Sequence, residues 1–316
     1  MPNDKQPPTP PRHPNDLPHP AQELALAAWD LVAAGADVAF HARAPRAVLK
    51  GALFAREHPC SARDVHPLPD GPGLDAFWPA PQASLCPVLI FVHGGGWAHY
   101  RKELYTAVAA HLVPQGWAVI LPDYTAYPRA TYRQMADEVA AAVAWTVDRL
   151  PELGADPRRV YLAGHSAGAH LTALIGLDKG WLAAHGHDPS ELAGYIGMSG
   201  VYDLMAAHVQ WNHRRPATEL LQRVFDGTDS LRTASPLTHV HAGAPPALLL
   251  HGATDPYVPS NQAASLCQTL RQVGAPCELR IYPDVGHSDL ILDPLAGKDN
   301  RLWRDLLAFA ERHPGA

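Results

Sequence analysis

The chain has no uninterrupted apolar run long enough to span a bilayer, no block of basic residues, and only four cysteines with no Cys-x-x-Cys pair among them. Each shortage excludes something. Residues 24–40 are the most apolar early stretch, and Asp30, Gly35 and Asp37 break it well short of an integral membrane segment. With 25 basic and 31 acidic residues and a formal net charge of -6, no stretch is suited to tracking a phosphate backbone, which argues against nucleic acid as a partner. The cysteines, at 60, 86, 267 and 277, are separated by long intervals in a chain that needs no disulfide framework. They are expected to be ordinary thiols of a reducing compartment, although spacing leaves open whether Cys267 and Cys277 meet. No apolar segment follows a basic start, so the N-terminus does not read as a signal peptide, and a cytoplasmic protein is the default expectation. Prolines at 2, 7, 8, 10, 11, 14, 18 and 20 prevent a helix or a ladder, and residues 1–20 are expected to form a disordered or extended tail. The 19 histidines are scattered without compact ligand spacing, and neither a metal nor a cofactor is expected.

What remains is a chain of 316 residues, 47% hydrophobic, able to bury a large core. No low-complexity linker interrupts residues 85–311, so residues 21–316 read as one α/β domain, with cap elements expected at 21–60 and 202–232. Residues 21–34 have helical periodicity, and 62–78, with Pro and Gly, allow only short edge strands. Apolar runs at Val88–Val92 and Ala118–Leu121 suit central parallel strands buried on both faces, and Arg159–Ala163, Gly194–Met198, Ala247–Leu250 and Glu278–Tyr282 are expected to supply four more strands. Helices are expected at Met135–Leu150, Ala167–Leu177, 260–273 and 299–311. This alternation predicts a mostly parallel sheet with helices on both faces.

Within that frame, Tyr161-Leu162-Ala163-Gly164-His165-Ser166-Ala167-Gly168-Ala169-His170 places Ser166 between two glycines where a strand meets a small-residue helix. Gly at both flanking positions permits the sharp turn that leaves a serine hydroxyl exposed at the sheet edge, a nucleophile elbow. A serine hydroxyl is a poor nucleophile near neutrality and needs a base, which in turn needs an orienting acid. His287, in the loop after the last strand, is the best base. Asp255, in the loop after the Leu248–Leu250 strand, is the best acid, and the 32 residues between the two accommodate one helix and one strand. Asp284 and Asp289 are weaker rivals for the acid. Asp203 is a more serious one, with helix capping as its competing role. His165 and His170 flank the serine but read as packing or hydrogen-bonding residues. Acyl transfer also needs donors for a developing oxyanion: the N–H groups of Gly95 and Gly96 in His93-Gly94-Gly95-Gly96-Trp97, and of Ala167. No Gly-Lys-Ser/Thr follows those glycines, which argues against a phosphate cradle.

These segments resemble the α/β-hydrolase superfamily over about residues 60–311. The resemblance is to its esterase branch, which includes hormone-sensitive-lipase-like enzymes, kynurenine formamidases and feruloyl and acetyl-xylan esterases. His93-Gly94-Gly95-Gly96-Trp97, Gly164-His165-Ser166-Ala167-Gly168-Ala169-His170-Leu171 and Ser199-Gly200-Val201-Tyr202-Asp203-Leu204 are similar to kynurenine formamidases, where a bulkier residue often takes the place of Gly96. Asp229-Ser230-Leu231-Arg232 leading to Ser235-Pro236, and His287-Ser288-Asp289-Leu290 leading to Asp293-Pro294-Leu295 and Gly297-Lys298-Asp299, resemble plant isoprenylcysteine methylesterases. Those enzymes are membrane-associated, and this chain lacks the apolar segments that would anchor it.

The resemblance implies an α/β-hydrolase fold and the triad Ser166, Asp255 and His287, with an oxyanion hole from Gly95, Gly96 and Ala167. It implies a serine carboxylesterase acting on small to medium esters, with an arylformamidase as the alternative by the same mechanism. The partner is then a small-molecule ester or formamide. Trp97, Tyr100, His165, His208, Trp211 and Phe225 are expected to line the substrate pocket, with core packing as the competing role for the aromatic residues. A homodimer is compatible with the chain, the outer strands at 62–78 and the helix at 299–311 being the faces available for it.

Overall fold

The computed structural model describes residues 38–58, 62–80, 84–212 and 215–315. The expected tail at 1–20, the helical periodicity at 21–34 and Cys60 lie outside the described residues.

Helix α1 (Val38–Glu57) leads into two four-residue strands, β1 (Ala62–Val65) and β2 (Leu74–Phe77), paired antiparallel at the sheet edge and kept short, as expected, by the Pro and Gly of the connection between them. Then come β3 (Cys86–Val92), a 3-10 turn at Lys102–Tyr105, α2 (Thr106–Leu112), β4 (Ala118–Pro122) and α3 (Tyr132–Arg149). The centre follows with β5 (Ala155–His165), α4 (Ala167–Leu177), α5 (Lys179–Ala183) and β6 (Gly194–Met198). Three helices precede the next strand: α6 (Leu204–Gln210), α7 (Arg215–Val224) and α8 (Ser230–Thr233). The chain closes with β7 (Ala247–Gly252), α9 (Asn261–Gln272), β8 (Cys277–Tyr282), α10 (Asp289–Leu295) and α11 (Arg301–Arg312).

The eight strands form one sheet in the order β1-β2-β4-β3-β5-β6-β7-β8. β3 to β8 run parallel; β2 alone runs against the others, pairing antiparallel with both β1 and β4. Alternate residues of a strand point to opposite faces, and here both faces are covered. Val88, Ile90 and Val92 of β3 join a core with α3, α4 and α9, while Leu89 and Phe91 join a second core with α1, α2, α10 and α11. That is why the central strands read as unbroken apolar runs. All eleven residues of α4 are buried, as expected of a helix apolar all round. Burying each leucine of such a helix contributes roughly 2 kcal/mol.

Strand order reverses between β3 and β5: from β3 the chain steps outward to β4, then returns to the other side of β3 and proceeds to β8. In open α/β sheets the loops at such a reversal diverge and leave a crevice beyond the carboxyl ends of the strands. The loops after β3 and β5 carry His93–Trp97 and Ser166 respectively. The expected insertion at 202–232, comprising α6 to α8, reaches the same edge: Phe225 packs on Trp97, and Trp211 Nε1 donates to the Tyr257 carbonyl.

One expectation fails. Cys267 and Cys277 are not free thiols but a disulfide, with Cα atoms 5.5 Å apart. Gly274, at φ 84, lets α9 end in a left-handed turn whose Gly274 and Ala275 N–H groups return to the Arg271 and Leu270 carbonyls. The last turn of α9 is thereby laid beside the start of β8. The argument from reduced thiols to a cytoplasmic location falls with it. Cys86 is a free, buried thiol, its pKa raised by burial. Among the described residues no helix is long and apolar enough to cross a membrane.

Candidate active site

The elbow follows from close approach. A Cβ on Gly164 would lie 2.5 Å from the Gly168 carbonyl, and one on Gly168 would run into the Val92 and His93 carbonyls, so β5, α4 and the end of β3 meet only if both positions are glycine. Between them Ser166 is held at φ 54 and ψ -118, a conformation costly for a residue with a side chain. Its N–H donates to Met198 O at 2.8 Å, and its carbonyl accepts from His170 N at 3.1 Å. Ser166 is partly exposed while His165 and Ala167 on either side are buried.

The structure brings Ser166, His287 and Asp255 together from three strand ends. Ser166 Oγ lies 2.9 Å from His287 Nε2, and His287 Nδ1 lies 2.7 Å from Asp255 Oδ2. The two loops that carry Asp255 and His287 are fastened to each other. Ala253 N–H donates to Tyr282 O at 2.8 Å and Thr254 N–H to Val285 O at 3.2 Å, and a Cβ on Gly252 would strike the Val285 carbonyl. The Asp255 side chain has no exposed surface. Its Oδ1 accepts from the Tyr257 and Val258 N–H groups, both at 2.9 Å, which fixes the carboxylate plane. Burial works against ionisation there, but the His287 and His251 rings outweigh it and hold the carboxyl well below the usual carboxylate range.

Sequence reasoning missed His251. It closes β7, is fully buried, and its Nε2 donates to Val258 O at 2.8 Å while standing 3.4 Å from Asp255 Oδ2. The rivals are engaged elsewhere. Asp203 Oδ1 caps α6 through Ala206 N–H, Asp284 forks onto Arg301, and Asp289 Oδ2 accepts from Gly286 N–H. His170 accepts from Trp97 Nε1 and donates to Ala234 O; His165 binds the His287 carbonyl rather than Ser166.

The candidate oxyanion loop is built on glycine conformations and buried polar contacts. Gly95 and Gly96 have φ of 125 and 57, and the Gly95 carbonyl accepts from the Ala98 and His99 N–H groups. Gly94 N–H is committed to Tyr105 Oη, which leaves the next two glycines as the candidate donors. Ala167 opens α4, where an N–H has no partner within the helix. His93, stacked on Tyr124, donates from Nδ1 to Gly94 O at 2.8 Å and lies 3.4 Å from Asp123. Asp123 also receives Lys102 N–H at 2.7 Å. Burial raises the Asp123 pKa, yet His93 and Lys102 outweigh it and the carboxyl is held low.

The six expected pocket residues divide. Phe225 has no exposed surface and Trp97 almost none; with His170 they form an edge-on aromatic cluster inside the core, so the pocket expectation for these two is corrected to packing. His165 is buried too. Trp211 is buried in the same core as Trp97 and Phe225, its Nε1 donating to the carbonyl of Tyr257, whose ring is 5.3 Å from that of His287; Tyr100 is exposed and stands beside Gly95, and His208 is half-buried on α6.

The buried histidines have a consequence for stability. Burial pushes the pKa of His165 down to about 3 and that of His170 down to about 4. The unfolded chain protonates its histidines near pH ~6.5. Below that pH the unfolded state binds protons that these two folded side chains refuse, so stability is full above pH ~6.5 and declines as pH falls toward 4. Urea unfolding at pH 7.5 and pH 5 is expected to differ by on the order of 2 kcal/mol for each of the two. Equal stability at both values would mean that neither ring is held neutral.

With this geometry in place, similarity to known proteins becomes informative. The BD-FAE family model matches residues 74–270, from β2 into α9. The chain belongs to the BD-FAE family. The matched stretch of this BD-FAE chain contains Gly95, Gly96, Ser166 and Asp255; His287 lies beyond it. A probable isoprenylcysteine alpha-carbonyl methylesterase of Arabidopsis thaliana is 29% identical over 74% of the chain and 52% of that protein. Esterase LipQ of Mycobacterium tuberculosis is 33% identical over 68% of the chain and 54% of that protein. The BD-FAE chain thus spans about half the length of these relatives. Among solved structures, a truncated carbohydrate esterase from gut microbiota superimposes with a TM-score of 0.69 at 21% identity, covering 81% of this chain and 97% of that one. Esterase 2 of Thermogutta terrifontis, propionate-bound, gives 0.65 at 22% identity over 82% and 96%. The fold is that of the α/β-hydrolases.

Proposed function

We propose that the chain is a serine carboxylesterase acting on small to medium carboxylic esters, with Ser166 as nucleophile, His287 as base and Asp255 as orienting acid. The observation that carries this reading is the continuous hydrogen-bonded path from Asp255 through His287 to Ser166, at 2.7 and 2.9 Å. The relatives described above, a probable methylesterase and an esterase, support the same class of bond.

His287 Nε2 takes the Ser166 proton as Oγ attacks the carbonyl carbon. The carbonyl oxygen becomes an oxyanion facing the N–H groups of Gly95, Gly96 and Ala167, each donor worth roughly 3 kcal/mol in the barrier. When the tetrahedral intermediate collapses, the ester C–O bond breaks and the alcohol departs with the proton from His287. Water then repeats the sequence on the acyl-enzyme, His287 first accepting its proton and then returning it to Ser166. Of the expected pocket residues, Tyr100, exposed beside Gly95, is the one whose position suits contact with substrate.

Mixing the protein with p-nitrophenyl acetate in a stopped-flow instrument is expected to give a burst of p-nitrophenol stoichiometric with enzyme, followed by slower steady turnover. On the same preparation, kcat/KM for short esters is expected to exceed that for N-formylkynurenine. A preference for the formamide by more than about a hundredfold, about 2.7 kcal/mol of transition-state binding, would overturn the ester reading.

A further inference from the structure

The carboxyl ends of β3 and β5 are joined by a second hydrogen-bonded path, one that takes no part in proton transfer to substrate. Tyr105, at the end of the Lys102–Tyr105 turn, is buried with its ring on Phe91. Its Oη is 3.3 Å from Gly94 N and 3.3 Å from His165 Nδ1. His165 Nε2 is in turn 3.2 Å from the carbonyl oxygen of His287.

With a neutral imidazole, only one arrangement of protons satisfies this path. A carbonyl oxygen only accepts, so His165 must carry its proton on Nε2. Its Nδ1 is then an acceptor, served by the Tyr105 hydroxyl hydrogen. The phenol oxygen keeps its lone pair for Gly94 N–H. Burial favours this state, since it pushes the His165 pKa down to about 3 and raises that of Tyr105 far above the ordinary phenol range, leaving both side chains neutral. Packing is equally tight: a Cβ on Gly94 would lie 2.9 Å from His165 Nδ1 and 3.2 Å from Ser166 Cβ.

We propose that Tyr105 and His165 are positioning residues that tie the oxyanion loop to the loop bearing the base, fixing the spacing between the Gly95 and Gly96 donors and the His287 imidazole. The proposal rests on the hydrolytic reading above. Neither residue touches the reacting carbonyl. Each sets where a group that does touch it stands, and a misplacement of such groups by about 1 Å costs on the order of a hundredfold in rate.

The test is a double-mutant cycle with Tyr105→Phe, which removes only the hydroxyl, and His165→Gln, which retains an amide donor while removing the imidazole acceptor. Each single variant is expected to lower kcat on a p-nitrophenyl ester by about 10- to 100-fold with KM within about twofold, and the double variant to be no slower than the slower single one. Multiplicative losses in the cycle, or an unchanged kcat with only a lower Tm, would overturn the proposal. Two-bond 1H–15N spectra of the wild-type protein give a readout that needs neither substrate nor a folded variant. They are expected to assign His165 as the neutral Nε2–H tautomer, and an Nδ1–H or doubly protonated ring would equally overturn it. If wild-type protein hydrolyses no ester, the hydrolytic reading fails, whereas active wild-type protein with an indifferent Tyr105→Phe variant defeats the positioning role alone.

Discussion

Ser166→Ala is expected to lower kcat on a p-nitrophenyl ester by about 10⁵- to 10⁶-fold and to abolish the burst. In the proposed mechanism the hydroxyl is the group that bonds covalently to the acyl carbon, with the His287 imidazole 2.9 Å away to take its proton. Residual hydrolysis above the rate in water is still expected, because Gly95, Gly96 and Ala167 would continue to polarise a bound carbonyl. Stability should hardly change: alanine at φ 54 carries the same backbone strain as serine, and the elbow's own bonds, Ser166 N–H to Met198 O and His170 N–H to Ser166 O, are main-chain bonds that survive. The measurement is a pair of progress curves at equal protein concentration, with Tm as the control for folding. Activity within tenfold of wild type would place the nucleophile elsewhere.

The central sheet was legible because two-sided burial leaves a signature in composition. Val88–Val92 and Gly194–Met198 are apolar without alternation, and both became interior strands. Ends were less legible where a local residue conflicts with the ladder. The strand expected from Arg159 begins at Ala155, since Pro157 interrupts the apolar pattern while the β3 pairing resumes across a register shift. The convergence of Ser166, Asp255 and His287 was readable because each follows a strand of the parallel set, and parallel strands deliver their following loops to one edge. Tyr105 and His251 were not. Their contacts depend on side-chain direction between segments distant in sequence, which no spacing encodes. The disulfide was hidden for the same reason, as it depends on α9 folding back over Gly274. The sequence marks 202–232 as an insertion but does not say which of its aromatic rings turn inward, and Trp211 and Phe225 do.

Asp255→Asn carries the second large effect, about 10⁴-fold in kcat/KM, and the reason is the direction of one proton. Asp255 Oδ1 accepts two backbone N–H groups, from Tyr257 and Val258, so an asparagine must keep its carbonyl oxygen on that side. Its amide nitrogen then faces His287 Nδ1, where Oδ2 now stands at 2.7 Å. Two donors cannot share that contact, and His287 moves its hydrogen to Nε2, the nitrogen that must accept from Ser166. The imidazole stays in place and loses its function. Asp284→Asn is the matched control: that carboxylate is exposed and paired with Arg301, and its loss is expected to change kcat/KM by less than about twofold. Because the Asp255 carboxyl is held well below the usual range, it remains ionised on acidification until the pH is below that range, and the wild-type acid limb between pH 5 and 8 should contain no Asp255 ionisation. The two variants are compared by kcat/KM across that interval. A deficit under tenfold for Asp255→Asn would mean that the base is oriented by something other than this carboxylate.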